Sequence, residues 1–336
     1  MADAPMTLSE HLESQRGLVS RDLAPGVATV IGRIGRVAAV IAQELAHAAL
    51  RDRLGYAGGA NVSGDEVKKL DVWGHDAMLA GLRQSGACAA FVSEEAKDPI
   101  EIPEAGGANA LVVCCDPVDG SSNLDVNGTV GTIFSIRPSR GQSPAGPAAL
   151  GPVSAQVAAG YVMYGPATML VYTVGSGVNG FALNPESGEF LLTHPDIRIP
   201  RRGKVYGINE GNAHAWHPGQ KAFVEHLKAS DKASGRPYSL RYSGAMVADV
   251  HRTLLDGGLF MYPADCSDPA TPKGKLRLLY EVAPMAMIVE QAGGRASTGT
   301  GRVLDQTATE YHQRAAVILG SPDDVATADD FYRRGA

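Results

Sequence analysis

The chain has 336 residues, 44% of them hydrophobic and 20% charged, with a formal net charge of −6. That length and balance suit one large or two medium globular domains and offer no basic footprint for nucleic acid or an anionic membrane. No charge-free apolar run of about 18 residues argues for a membrane span, and the polar, acidic start MADAPMTLSEHLESQRG is unlike a secretory leader.

Apolar residues at Val27, Val30, Ile31, Ile34, Ala38, Ile41, Leu45 and Ala48 recur every three or four positions and predict an amphipathic helix over Val27 to Leu54. The Gly-rich Gly55 to Gly64 reads as a mobile loop. A second helix runs from Asp65 to about Ser85, and a short strand, Cys88 to Val92, ends at Ser93-Glu94-Glu95. Lys97 to Asn109 is a polar loop. The apolar run Leu111 to Cys115 predicts a buried strand. Pro117 has no N–H and a fixed φ, so the ladder is expected to stop there.

A further strand covers Val130 to Ile136, and Arg137 to Val153 is a Pro/Gly-rich loop. Strands then dominate: Gln156 to Met163, Thr168 to Val174, Gly180 to Leu183 and Phe190 to Leu192. His194 to Lys204, with Pro195 and Pro200, is the candidate linker. Its Arg198, Arg201, Arg202 and Lys204 read as a solvated face. The second half alternates: strand Val205 to Ile208, helix Gln220 to Ser230, helix Ser243 to Leu255 and strand Leu259 to Tyr262. The loop Asp265 to Gly274 follows, then a helix from Tyr280 to Ala292 that stops at Gly293-Gly294. Strand Val317 to Leu319 and helix Asp323 to Arg334 end the series. Such alternation predicts layered α/β packing.

Four cysteines show no metal-ligand spacing. Cys114 and Cys115 are expected to pack as small hydrophobes, and a reducing cytoplasm is the simplest compartment.

The chemistry concentrates in Asp116-Pro117-Val118-Asp119-Gly120-Ser121-Ser122. Alone, Asp116 would read as a turn residue. Together, two carboxylates three residues apart at a strand end converge, with the Val118 carbonyl between them. Carboxylates and a carbonyl suit a hard divalent cation such as Mg2+. The amides and hydroxyls of Gly120, Ser121 and Ser122 suit a phosphate. Metal beside phosphate is the arrangement of a metal-assisted phosphatase.

This run resembles the signature of the lithium-sensitive, Mg2+-dependent phosphatase superfamily, which includes inositol monophosphatases and fructose-1,6-bisphosphatases. From Ala57 to Val325 the chain resembles class I fructose-1,6-bisphosphatase in order: Asn61 to Asp71, Val92-Ser93-Glu94-Glu95, Asn209-Glu210-Gly211, Arg241-Tyr242-Ser243-Gly244, Met246 to Arg252, Leu259 to Pro263, Lys273 to Gly294, His312-Gln313-Arg314 and Ile318 to Asp324.

The resemblance implies an α-β-α-β-α layered fold of two α/β halves, residues 1–196 and 197–336, with mixed sheets between helix layers. It implies two or more Mg2+ per subunit, Mn2+ as a substitute, and Glu94, Asp116, the Val118 carbonyl, Asp119 and Glu281 as metal ligands. Asp71 and Glu95 match the acids that take a proton from the attacking water, and Asp65 a mobile-loop acid. The substrate implied is fructose 1,6-bisphosphate. Its 1-phosphate lies on Gly120, Ser121 and Ser122, beside Asp119. Its 6-phosphate meets Asn209, Tyr242, Tyr262 and Lys275, and the Met246 backbone contacts the sugar. Arg241 matches an arginine lent to a neighbouring subunit in a homotetramer, with neither nucleic acid nor membrane as partner.

Two departures stand out. Asn212 replaces a family phosphate-binding tyrosine, so the 6-phosphate pocket is expected to tolerate a longer sugar such as sedoheptulose 1,7-bisphosphate. The AMP-binding pattern of regulated members is replaced by Arg21-Asp22-Leu23-Ala24-Pro25-Gly26, Ala110-Leu111 and Pro138, so AMP inhibition is expected to be weak or absent. A thioredoxin-sensitive Cys-rich insertion is missing. The rival readings are an inositol or nucleotide phosphatase, and a silent sugar-phosphate-binding regulator. The reaction serves gluconeogenesis and the reductive pentose phosphate cycle alike.

Overall fold

A computed structural model of the chain describes residues 5–19, 23–60, 66–105, 110–139, 150–268 and 270–335. The first elements are α1 (Leu8–Ser14), α2 (Ala24–His47), the strands β1 (Tyr56–Ala60) and β2 (Glu66–Lys68), and α3 (Lys69–Arg83). Then follow β3 (Cys88–Ser93), β4 (Ile100–Glu101), β5 (Leu111–Asp119), β6 (Val130–Pro138) and β7 (Gly151–Pro152). Next are β8 (Ala158–Tyr164), β9 (Thr168–Thr173), β10 (Asn179–Leu183) and β11 (Phe190–His194). The second half holds β12 (Val205–Gly207), α4 (Pro218–Lys228), β13 (Ser239–Leu240), α5 (Met246–Asp256), β14 (Leu259–Tyr262) and β15 (Leu276–Arg277). It closes with α6 (Ala283–Gln291), β16 (Arg295–Ser297), β17 (Thr307–Ala308), β18 (Arg314–Ala315), β19 (Val317–Gly320) and α7 (Pro322–Arg334).

These stack as helices, sheet, helices, sheet, helices. The first sheet has eight strands in the order β11-β10-β9-β8-β6-β5-β3-β4, the second five in the order β13-β12-β14-β19-β16. On the outer face of the first sheet lie α2 and α3, whose Val30, Ile31, Ile34, Met78 and Leu82 are fully buried against Phe91, Phe134 and Leu170. Between the sheets, α5 and α6 place Val247, Val250, Met285 and Ile288 in one core with Ile133, Val171, Phe260 and Leu319. Outside the second sheet, Phe223 and Val224 of α4 pack with Val325 and Ala328 of α7. The α-β-α-β-α order expected by resemblance is the order observed.

The amphipathic α2 continues as a 3-10 turn to Arg51. By length and composition Ala24–Arg51 would pass as a membrane span, yet half of its apolar 18-residue window is buried inside the protein. The arginines of the linker are solvated as expected, and three are ion-paired: Arg198 with Asp196, Arg201 with Asp323, Arg202 with Asp324.

Three expectations need correction. Pro117 does not end the central strand: β5 runs on to Asp119, with a break in register against β6 between Asp116 and Asp119. A bulge absorbs a residue that cannot donate to the ladder. The stretch read as loop from Gly55 carries β1, which pairs antiparallel with β2, so α3 begins at Lys69 rather than Asp65. The helix expected from Tyr280 begins as a π-helical turn, Leu278–Val282, before α6.

Candidate active site

Strands β3 and β5 form the parallel pair of the eight-stranded sheet, while its other recorded pairings are antiparallel. Their carboxyl ends coincide, and ligands of α/β sheets settle at such ends. The Glu94 amide donates to the Cys115 carbonyl at 3.2 Å. That bond extends the ladder one residue and sets Glu94 beside Asp116. The Asp116 Oδ1 accepts the Val118 amide at 3.0 Å, which shapes the bulge. Asp119 then meets the N-terminus of α5, accepting the Val247 amide at 2.9 Å, a favourable place for a carboxylate. Gly120 has φ +76, and a Cβ there would lie 2.5 Å from that of Ala245. Only glycine permits this approach of turn to helix.

Glu281 arrives from the π-helical turn, a distortion common at functional sites. Its Oε2 accepts the Arg277 amide at 2.6 Å. One oxygen each from Asp116, Asp119 and Glu281 lie within 4.8 Å of one another, all buried. Burial pushes the Asp116 and Glu281 carboxyls well above the usual range, and the nearby Glu94 adds to it. Asp119 is pushed up to about 7 by burial, against the two α5 amides that favour its anion. Three crowded acids with so little counter-charge fit a hard divalent cation, which would restore their ionised forms. The Arg277 guanidinium, 3.2 Å from Glu94 and itself buried, supplies part of that charge.

Asp71 sits in the first turn of α3, where its Oδ2 accepts the Lys68 amide at 2.8 Å. Its Oδ1 is buried without a hydrogen-bond partner. Burial raises its carboxyl to about 6.

One cavity of about 380 Å³ gathers these groups. Asp71, Glu94, Glu95, Asp116, Val118, Asp119, Gly120, Ser121, Ser122, Tyr242, Met246, Tyr262, Lys275 and Glu281 all line it. Two expected residues do not. Arg241 is exposed, its Nη1 donating to the Leu240 carbonyl. Asn209 caps a short 3-10 turn by accepting the Gly211 amide at 3.1 Å. Asn212 is exposed on that same turn and also lies off the cavity wall. Asp65 falls outside the described residues, as do Arg21 and Asp22.

The cavity also holds residues the sequence reading passed over. Arg277 is one. Its signal was present, a single cation inside the apolar run Leu276 to Leu279. Tyr56, Glu66 and Lys68 are others, brought in by the β1–β2 hairpin. Lys68 Nζ lies 3.6 Å over the Tyr56 ring centre and 2.5 Å from Asp125.

Buried acids at the ends of parallel strands, beside a glycine-serine turn in a five-layered sandwich, define a site of the metal-dependent sugar-phosphatase class. Comparison with known proteins agrees. Sequence models described as fructose-1-6-bisphosphatase N-terminal and C-terminal domains match residues 6–195 and 199–333. A fructose-1,6-bisphosphatase class 1 of Maridesulfovibrio salexigens is 45% identical over 335 residues, covering 98% of each chain. One from Nostoc punctiforme is 43% identical over 332 residues, covering 98% of this chain and 93% of that one. The crystal structure of Leishmania major fructose-1,6-bisphosphatase in holo form is 40% identical and superposes with a TM-score of 0.89, covering 98% of this chain and 100% of the other. The chain belongs to the fructose-1,6-bisphosphatase family, whose members depend on divalent metal.

Proposed function

We propose that the chain hydrolyses the 1-phosphate of D-fructose 1,6-bisphosphate, releasing fructose 6-phosphate and phosphate, with Mg2+ as metal, two or more ions per subunit, and Mn2+ able to replace it. The observation that carries this is the buried meeting of Asp116, Asp119 and Glu281 beside the Gly120-Ser121-Ser122 turn. Glu94, Asp116, the Val118 carbonyl, Asp119 and Glu281 hold the metal, which when bound neutralises phosphoryl and leaving-group oxygens and lowers the pKa of a water.

The chain's own groups do the rest. Gly120, Ser121 and Ser122 seat the 1-phosphate. Asp71, through its partnerless Oδ1, and Glu95 take the proton of the attacking water. To Asp65 we assign the further acid that completes the site on substrate binding. Tyr242, Tyr262 and Lys275 bind the 6-phosphate, joined by Asn209, whose side-chain oxygen is already engaged and leaves its NH2 to donate. Met246 meets the sugar through its backbone. In a homotetramer, Arg241 serves the neighbouring subunit's site, and its exposure suits that role. We assign residues 1–196 to the metal side and the vestigial AMP region, and residues 197–336 to the 6-phosphate side with Glu281. Four free cysteines, three of them buried, suit a reducing cytoplasm, where either gluconeogenesis or the Calvin cycle uses the reaction.

Asn212 supports a second activity on sedoheptulose 1,7-bisphosphate, because asparagine reaches less far than the tyrosine it replaces. Phosphate release from fructose 1,6-bisphosphate, sedoheptulose 1,7-bisphosphate and inositol phosphate tests both readings. The first sugar is expected to be turned over fastest and the inositol phosphate negligibly. Hydrolysis of the heptulose below about one per cent of the hexose rate removes the second reading. No release from any of the three, with substrate still bound, turns the account toward a regulator.

A further inference from the structure

The turn carrying Gly120, Ser121 and Ser122 and the loop carrying Tyr242, Gly244 and Met246 line the same cavity from different sheets. One side chain joins them. Asn123 directly follows the serines, and its Nδ2 donates to the Ser243 carbonyl at 3.0 Å and to the Thr129 carbonyl at 2.9 Å. From the other side Asp249, buried on α5, accepts the Ser243 amide with Oδ1 at 3.2 Å and Oδ2 at 3.1 Å. Ser243 lies between Tyr242 and Gly244, and both its backbone groups are therefore held.

The surroundings leave this clamp no slack. A Cβ at Gly128 would come within 2.9 Å of the Asn123 Cβ. Gly244 has φ +83, and a Cβ there would lie 3.4 Å from the Asn123 Oδ1. A Cβ on Gly120 would strike Ala245. Arg252, at 3.6 Å, faces the Asp249 carboxylate. Asn123 thus bonds both the carbonyl that leads into β6 and the loop that opens α5.

We propose that Asn123 and Asp249 are positioning residues that fix the separation of the two phosphate subsites and so set the length of sugar bisphosphate the cavity accepts. The proposal rests on the reading above, in which the serine turn takes the 1-phosphate and Tyr242 part of the 6-phosphate. Neither side chain lines the cavity. Each acts through the backbone of Ser243.

The test is Asn123→Asp, which keeps the volume but replaces the NH2 facing two carbonyls with an acceptor. KM for fructose 1,6-bisphosphate and the inhibition constant of fructose 6-phosphate should each rise about tenfold. The constant for kcat should stay within about threefold. Inhibition by inorganic phosphate, which reads the serine turn alone, and the Mg2+ activation midpoint should not move. Asp249→Asn loosens the same loop from the other side and stands in should Asn123→Asp not fold. In the double variant the KM effects should be less than additive. A fall in kcat with KM unmoved, a common shift in all four quantities, or no shift in any overturns the proposal. If the unaltered chain releases no phosphate from the bisphosphate, the parent reading has failed. Calorimetric binding of fructose 6-phosphate to both chains then still reads the clamp.

Discussion

Asp71, the proton acceptor proposed above, joins a structural bond to a place in the cavity. One oxygen closes the first turn of α3 on the Lys68 amide, and the other is buried and unbonded in the cavity. Asp71→Asn keeps a carbonyl for the capping bond but removes the proton acceptor. We expect kcat to fall on the order of 10² to 10⁴-fold with KM and melting temperature little changed. Steady-state kinetics beside a thermal scan checks this, and retained kcat would assign the proton to another group. At this scale the acids were legible, because a carboxylate cluster needs particular residue types and the motif names them. Arg277 was not. Its partnership with Glu94 and Glu281 depends on a π-helical turn, and no residue pattern in the apolar run announces that turn.

Among the elements, β5 and α2 carry the most consequence. β5 passes through Pro117 by means of a bulge, and the bulge turns Asp116 and Asp119 toward one point three residues apart. A rule about proline ended the strand too early; tertiary pairing with β6 overrode it. α2 opens without a side-chain cap at Leu23 and with Pro25 in its first turn, a residue with no N–H to offer. A Cβ at its Gly26 would meet the Leu111 side chain at 3.2 Å, so an apolar group stands close to this helix end. Among the described residues, this end offers a nucleotide phosphate no capping side chain and one backbone amide fewer than usual. Phosphate release measured across a range of AMP should therefore be unaffected at micromolar concentration, and half-inhibition in that range would contradict the reading of this helix. The periodicity of α2 was plain in the sequence. The β1–β2 hairpin was not, since glycine-rich strands give no alternation to read.

The whole molecule stacks two sheets on a shared middle helix layer, and the buried acids of the site meet where the layers join. In the metal-free protein this arrangement ties stability to pH. Asp71 and Asp119 are raised to about 6 and about 7 by burial, while in the unfolded chain an aspartate ionises near pH 3.9 (about). Between these values the folded state binds more protons than the unfolded one. Their contribution to stability is thus full at low pH and is lost as pH rises toward 7. A divalent ion displaces those protons and supplies the counter-charge, so its stabilising effect grows over the same window. The rise in melting temperature on adding Mg2+ should be larger at about pH 8 than at about pH 5. Equal increments at the two pH values would detach the acids from the metal. The layered order was readable from the alternation of elements, whereas which layers touch depends on long-range packing that local pattern does not encode.

The most direct test of the oxygen-donor cluster is to strip the protein with a chelator and titrate Mg2+ back while phosphate release from fructose 1,6-bisphosphate is followed, beside Glu281→Gln under the same conditions. The account predicts no release before Mg2+, full recovery as it is added, and a Glu281→Gln curve displaced to higher Mg2+ by at least about tenfold. Release that survives chelation, or a Glu281→Gln curve that overlays that of the unaltered chain, would contradict it.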